Sequence, residues 1–264
     1  MKAIILAAGI GSRLYPITKS KPKCLVELFG KSIIEHQIDI FRKCGINEII
    51  IVRGYLSEMI NFDGIKYYDN PNYETTNMIE TLFCAHDELD DSVIISYGDI
   101  IFEKKILESL ISSNFDLSVI VDKNWKQLWE QRFKNPLDDA ESLILDPNGL
   151  ILELGQKVSS YEKICGQYIG LMKFQGNDLE FIRSFYQNAK EISKNGKNPL
   201  NPEISFEKSY MTDFLNSLIK NGKKIHSVEV HGGWLELDSI SDLELYKQLD
   251  KTKTLSNFFN SKFS

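Results

Sequence analysis

The chain has 264 residues, with 31 basic against 37 acidic side chains and a formal charge of −6, a balance that argues against a protein gripping nucleic acid by massed positive charge. Hydrophobic residues at 42% and charged ones at 26% are ordinary for a folded protein with one sizeable core. No apolar run approaches the ~18 residues a membrane helix needs, and the opening is too short for a signal peptide, so a cytoplasmic protein with no membrane partner is expected.

In chain order, the first half alternates short β-rich runs with helical segments, the rhythm of a parallel sheet flanked by helices. Strands are predicted at residues 3–7, 48–52, 65–68, 92–96 and 117–121, and helices at 33–44, 78–89 and 104–112, with Gly45 stopping the first helix and Thr76 or Asn77 capping the second. Right-handed crossovers then bring the loops that follow the strands to one edge of the sheet, where ligands bind. Beyond residue 122 the rhythm changes. Residues 142–146 and 150–154 read as a hairpin around Pro147-Asn148-Gly149, and an apolar strand at 168–174 is expected to join it. Helices at about 177–190 and 208–220 follow, and the polar residues 251–264 are expected to form a fraying tail. Cys24, Cys44, Cys84 and Cys165 are far apart and the four histidines lack ligand spacing, so neither a disulfide frame nor a zinc site is indicated.

Residues 6–24 read LAAGIGSRLYPITKSKPKC directly after the first strand. Small residues let backbone N–H groups approach a ligand closely. Lys2, Arg13, Lys19, Lys21 and Lys23 fall within the first 26 residues with no acid among them, a local positive excess suited to a polyphosphate. Gly9-x-Gly11 opens like a dinucleotide fingerprint, but its third glycine is replaced by Leu14, and the Gly-Lys-Ser/Thr of a P-loop is missing. The ordinary alternative is a glycine turn with solvated lysines.

LAAGIGSRLYPIT followed by KPKCLVELFGKSIIEHQI resembles the signature of the nucleotidyltransferases that make NDP-sugars and CDP-alcohols, unbroken from Leu6 to Ile34. Thr75-Thr76-Asn77-Met78, Tyr97-Gly98-Asp99 and Gly233-Trp234-Leu235-Glu236-Leu237-Asp238-Ser239 extend the resemblance over nearly the whole chain. It implies an α/β, Rossmann-like, mixed but mostly parallel sheet with a small β-hairpin lid: one nucleotidyltransferase domain over residues 1–250, with an acceptor insertion at about 122–175. It also implies attack of an acceptor phosphate oxygen on the α-phosphorus of an NTP, with pyrophosphate leaving. Such a nucleophile is already an anion, so the demand is positioning and charge neutralisation.

Mg²⁺ is therefore the expected cofactor, with Asp99 and Asp238 as ligands and Glu236 as a third member. Asp99 follows a strand, where an aspartate is ordinarily a turn residue or cap. Asp238 shares one face of a short strand with Trp234 and Glu236, although Ser239 and Asp242 also spell a helix start. By resemblance Arg13 serves the β- and γ-phosphates and Lys23 the α-phosphate and acceptor. Leu6, Ala7, Ala8, Gly9, Gly11, Ser12 and Gly98 would line the nucleotide, with Thr76 and Asn77 near base and ribose.

Residues 122–141 and 166–171 resemble phosphocholine- and aminoalkylphosphonate-type cytidylyltransferases. That likeness implies CTP and a small phosphorylated or phosphono acceptor, for surface glycan decoration. Trp125, Trp129, Trp234 and Tyr168 are candidate acceptor contacts, Glu141 with Asp138 and Asp139 would suit an ammonium group, and Arg132 and Lys157 a phosphate or carboxylate. Trp125 and Trp129, four apart, are equally the pattern of a packed helix face. A homodimer is also expected. Rival readings are a sugar-1-phosphate nucleotidyltransferase, a non-catalytic nucleotide-binding sensor or subunit, and a glycosyltransferase, the last having no use for the basic loop.

Overall fold

A computed structural model describes residues 1–260. Thirteen strands occur among them: β1 (Lys2–Ala7), β2 (Glu27–Leu28), β3 (Lys31–Ser32), β4 (Ile49–Arg53), β5 (Ile65–Asp69), β6 (Ser92–Tyr97), β7 (Ile100–Phe102), β8 (Leu117–Asp122), β9 (Glu141–Leu145), β10 (Ile151–Lys157), β11 (Gln167–Gln175), β12 (His226–Val230) and β13 (Trp234–Glu236). The α-helices are α1 (Ile33–Lys43), α2 (Met78–Phe83), α3 (Lys104–Ser112), α4 (Trp125–Arg132), α5 (Asp178–Ser193), α6 (Met211–Lys220) and α7 (Ile240–Lys251). No helix among the described residues is long and apolar enough to cross a membrane.

Seven strands form one sheet in the order β12-β8-β11-β6-β1-β4-β5. Neighbours run parallel except β11, which lies antiparallel between β6 and β8. Period-two alternation places Ala3, Ile5 and Ala7 of β1 in a core with α1, α3 and α7, and Ile4 and Leu6 in a second core with α2, α5 and α6. Both faces are covered, which is why β1 and β4 are apolar throughout rather than alternating. The sheet agrees with the expected fold class.

Four local expectations are corrected. The strand expected to extend the hairpin is β11, which enters the main sheet; β9 and β10 form a separate two-stranded sheet. The hairpin instead packs on α6, where Asn216 accepts from the Leu154 amide and donates to its carbonyl. The helix expected to reach residue 89 ends at Phe83 and gives way to a 3-10 turn at His86–Glu88. Strand β12, unpredicted because His226-Ser-Val-Glu-Val230 is short and half polar, closes the sheet edge against β8. Finally, the stretch after Lys251 is not a free tail: Leu255 and Phe259 are buried, the latter stacked on Phe29. Apolar side chains at those two positions outweigh the polar composition around them, and residues 261–264 lie outside the described part.

Candidate active site

Strand β1 lies between β6 and β4, and its carboxyl end opens into the basic loop. The chain turns at Gly11 in the left-handed region (φ 67°), where a Cβ would come within 2.8 Å of the Lys23 Cβ. Glycine there provides both the turn and the passage for the Lys23 stem. Beside it, Gly98 brings the end of β6 against the Leu6 carbonyl, which a Cβ would meet at 2.6 Å. The turn at Gly98 is held from below by buried Gln37 of α1, whose Nε2 donates to the carbonyls of Tyr97 (2.8 Å) and Ile100 (2.7 Å).

The aspartates expected to converge do so, through a device in the short strands. β7, directly after Asp99, pairs antiparallel with β13, so that Ile100 faces Glu236, and the Leu237 amide donates to the Asp99 carbonyl at 2.9 Å. Alternation along 234–238 buries Leu235 and Leu237 and turns Trp234, Glu236 and Asp238 to a common cavity. Ser239, not Asp238, caps α7, in a capping box with Asp242. Asp242 also accepts from the Asp238 amide (3.0 Å), which fixes the Asp238 backbone.

Lys23 Nζ lies 2.7 Å from Asp99 Oδ2 and 2.5 Å from Asp238 Oδ1, and Arg13 Nη2 lies 2.9 Å from Asp238 Oδ2. Burial disfavours the Lys23 ammonium, but the two carboxylates outweigh it and hold the group protonated. Burial likewise opposes ionisation of Asp238, yet Lys23, Arg13 and Arg132 together hold its carboxyl below the usual range. Glu236 is pushed up by burial and the adjacent carboxylates, against the pull of Arg132. One carboxylate oxygen from each of Asp99, Glu236 and Asp238 falls within 4.8 Å of the others, and Asp99 Oδ1 is buried without a hydrogen-bond partner. Clustered hard oxygens suit a small divalent cation rather than a soft metal.

Two cavities meet here, with Met78 and Tyr97 in the walls of both. The first is lined by Leu6, Ala7, Ala8, Gly9, Lys23, Thr76, Asn77, Gly98 and Asp99. It also takes Tyr73 and Thr81, which the sequence reading missed. Asn77 caps α2 by accepting from the Met78 amide (2.8 Å), and Thr76 accepts from Asn70 Nδ2 at 2.9 Å. Gly11 and Ser12 stand outside this wall: Gly11 shapes the turn and Ser12 is exposed.

The second cavity is lined by Trp129, Asp139, Glu141, Gln167, Tyr168, Tyr210, Thr212, Trp234, Glu236 and Asp238, with no lysine or arginine among the described lining residues. Trp129 Nε1 donates to Asp139 (3.1 Å) and Trp234 Nε1 to Asp122 (2.9 Å), so both indoles are fixed. Three candidates for acceptor contact are not brought here. Trp125 is buried edge-on to Trp129, a packing contact of the helix face. Lys157 is exposed at the end of β10. Arg132 has a fully enclosed side chain committed to Glu236 and Asp242. Tyr210 and Thr212 arrive from the start of α6 by tertiary packing, for which the sequence offered no signal.

Fold and site together define an α/β protein with a cationic loop and a carboxylate cluster at the carboxyl edge of a mostly parallel sheet, a class to which many nucleotide-binding enzymes belong. Residues 3–132 match the model of the MobA-like NTP transferase domain. The chain is 43% identical over 263 residues to a CTP:phosphoglutamine cytidylyltransferase of Campylobacter jejuni subsp. jejuni, covering 95% of this chain and 100% of that one. It is 38% identical over 119 residues to a choline-phosphate cytidylyltransferase of Streptococcus pneumoniae, covering 44% of this chain and 52% of the relative. The solved CTP:phosphocholine cytidylyltransferase from Streptococcus pneumoniae superposes with a TM-score of 0.70 at 24% identity, over 96% of this chain and 98% of the other, a likeness of fold. The chain belongs to the nucleotidyltransferase family, in its cytidylyltransferase group.

Proposed function

We propose that the protein transfers CMP from CTP to a small phosphorylated or phosphono acceptor bearing a cationic group, with release of pyrophosphate. Phosphoglutamine, named for the Campylobacter relative, is the first candidate. The observation that carries this reading is the junction itself: Lys23 bridges Asp99, in the wall of one cavity, to Asp238, in the wall of the other. The nucleotide takes the first cavity, its phosphates against the backbone of Ala8 and Gly9 and its base and ribose near Thr76 and Asn77. The acceptor takes the second, where Asp139 and Glu141 face its ammonium group and Trp129, Trp234 and Tyr168 supply apolar and π surface.

Asp99 and Asp238, with Glu236, would hold Mg²⁺, which when bound supplies neutralisation of the phosphate charges. The chain's own residues do the rest. Lys23 acts as a point charge between the α-phosphate and the acceptor oxyanion, and Arg13, 64% exposed and free to turn, forks onto the oxygens that leave as pyrophosphate. No general base is required, because the attacking oxygen is already ionised. The product is an activated group suited to transfer onto a larger acceptor, surface glycans among them.

The test is a nucleotide-by-acceptor screen that detects pyrophosphate, crossing CTP, UTP and dTTP with phosphoglutamine, phosphocholine, aminoethylphosphonate and glucose 1-phosphate. Turnover is expected with CTP and the ammonium-bearing acceptors. Turnover with glucose 1-phosphate alone would reverse the choice in favour of a sugar nucleotidyltransferase.

A further inference from the structure

One buried amide stands behind the wall of the first cavity. Asn70 follows β5 directly, is 2% exposed and is not itself a lining residue. Its backbone amide donates to the Arg53 carbonyl at 2.7 Å. Its Oδ1 accepts from the Asn72 amide at 3.0 Å, and because a backbone N–H can only donate, this bond fixes which way the side-chain amide is turned. Nδ2 then directs its two protons at two hydroxyls of the cavity lining, Thr76 Oγ1 at 2.9 Å and Thr81 Oγ1 at 3.0 Å.

Each hydroxyl has a single proton, and the backbone claims it. Thr76 donates to the Asn72 carbonyl (2.9 Å) and Thr81 to the Asn77 carbonyl (3.2 Å), oxygens that can only accept. One lone pair of each hydroxyl is taken by Asn70, so a second lone pair is all that either can offer a ligand. Toward the cavity both threonines are hydrogen-bond acceptors, and turning a proton outward would forfeit a bond already made. The pyrimidine bases differ in their response to such a wall: position 4 of cytosine carries an amino donor, whereas that of uracil carries a carbonyl acceptor.

We propose that Asn70 sets the choice of cytosine over uracil, by holding the Thr76 and Thr81 hydroxyls as acceptors that receive the 4-amino group of CTP and repel O4 of UTP. Asn70 touches no substrate and acts through the threonines, as a positioning residue. The proposal rests on the first cavity being the nucleotide's. A wall of committed polar groups rejects a ligand that leaves them unpaired far more strongly than an apolar wall rejects a change of size.

The experiment is calorimetric binding of three nucleotides in the presence of Mg²⁺ and without acceptor: CTP, UTP and the triphosphate of 2-pyrimidinone riboside, which is cytidine with hydrogen in place of the 4-amino group. The proteins are the native chain, Asn70→Ala, Thr76→Val and Thr81→Val, with circular dichroism and a thermal melt to check folding. Native protein is expected to bind CTP about tenfold more tightly than the pyrimidinone analogue, and the analogue more tightly than UTP, because hydrogen at position 4 only loses a contact while O4 meets a lone pair. In Asn70→Ala the hydroxyls are free to turn, and the ratio of CTP to UTP affinity should fall about tenfold. A residue that merely supports the fold would weaken all three nucleotides alike and leave that ratio unchanged.

Native protein that binds UTP as tightly as the analogue, or folded Asn70→Ala that keeps the native ratio within about twofold, would overturn the proposal while leaving the cytidylyltransferase reading in place. Should Asn70→Ala not fold, the valine variants decide. Loss of the preference for CTP over the analogue in either one supports the proposal, and its retention in both overturns it. Native protein that binds none of the three nucleotides would overturn the nucleotide cavity and the role of Asn70 together, whereas failure of every acceptor in the turnover screen leaves the binding comparison intact.

Discussion

Asp99 spends one oxygen on Lys23 and keeps the other buried without a partner, an arrangement of cost to folding that makes sense if the second oxygen meets a cation. Asp99→Ala is expected to lower turnover by about 10²–10³-fold, the order found when one preorganised electrostatic group is removed. The circular dichroism spectrum should be unchanged, since the side chain packs no core. Native-like pyrophosphate release by this variant would remove Asp99 from the chemistry. A subtler change is Gly11→Ala. Its methyl group would press on the Lys23 stem from 2.8 Å in a backbone conformation that L-residues avoid, and displacement of Lys23 by a fraction of an ångström is expected to slow turnover by about 10- to 100-fold. A steady-state assay showing normal kcat for Gly11→Ala would mean that Lys23 has room to relax.

At the level of elements, the two ends of the sheet do different work. Away from the site, buried Glu88 ties its own 3-10 turn to two strands: it accepts from Lys2 of β1 (3.1 Å) and from Tyr68 of β5 (2.6 Å), and pairs with Lys66 of β5. Burial opposes its ionisation, but Lys66, Tyr68 and Lys2 outweigh that and hold the carboxyl at about 2, against 4.5 normally. Its contribution is therefore complete above pH 4.5 and fades as pH falls toward 2, amounting to at most about 3 kcal/mol. Glu88→Gln should lose about 2–3 kcal/mol at pH 7 in urea unfolding, and the gap from native should close between pH 4.5 and 2. A gap independent of pH would show that packing, not charge, is at stake. At the site end, β7 and β13 are three residues each. The alternation in 234–238 was legible, but the partner strand was not, because a three-residue run carries too few side chains for a period to show. β12 escaped notice because its five residues are half polar, while the start of α7, a serine with an acid three residues on, was plain in the sequence.

Over the whole molecule, legibility follows how the site is assembled. The first cavity comes from contiguous loops after β1 and β6 and from the start of α2, so local motifs disclosed most of its lining. The second cavity draws on α4, β9, β11, α6 and β13, and residue type alone offered Arg132 as an anion contact, because its carboxylate partners stand 104 and 110 residues away in the chain. Because the cavities share only Met78 and Tyr97 among their described lining residues and touch at Lys23, the two specificities should be separable by mutation. Asp139 and Glu141 line the second cavity and not the first. Burial pushes the Glu141 carboxyl up to about 7 and raises that of Asp139, and an ammonium group beside them favours their ionised forms; Asp139→Asn/Glu141→Gln takes away an attraction worth at most about 1–2 kcal/mol, or up to about 5- to 30-fold in binding. KM for an ammonium-bearing acceptor such as phosphoglutamine should rise by that factor and KM for CTP should stay within about twofold. Raising the salt concentration should weaken acceptor binding in the native protein more than in the variant, because the native cavity has a charge attraction that the variant lacks. Equal rises in both KM values would mean that the acids serve the junction as a whole, and an unchanged acceptor KM would mean that the cationic end of the acceptor lies elsewhere.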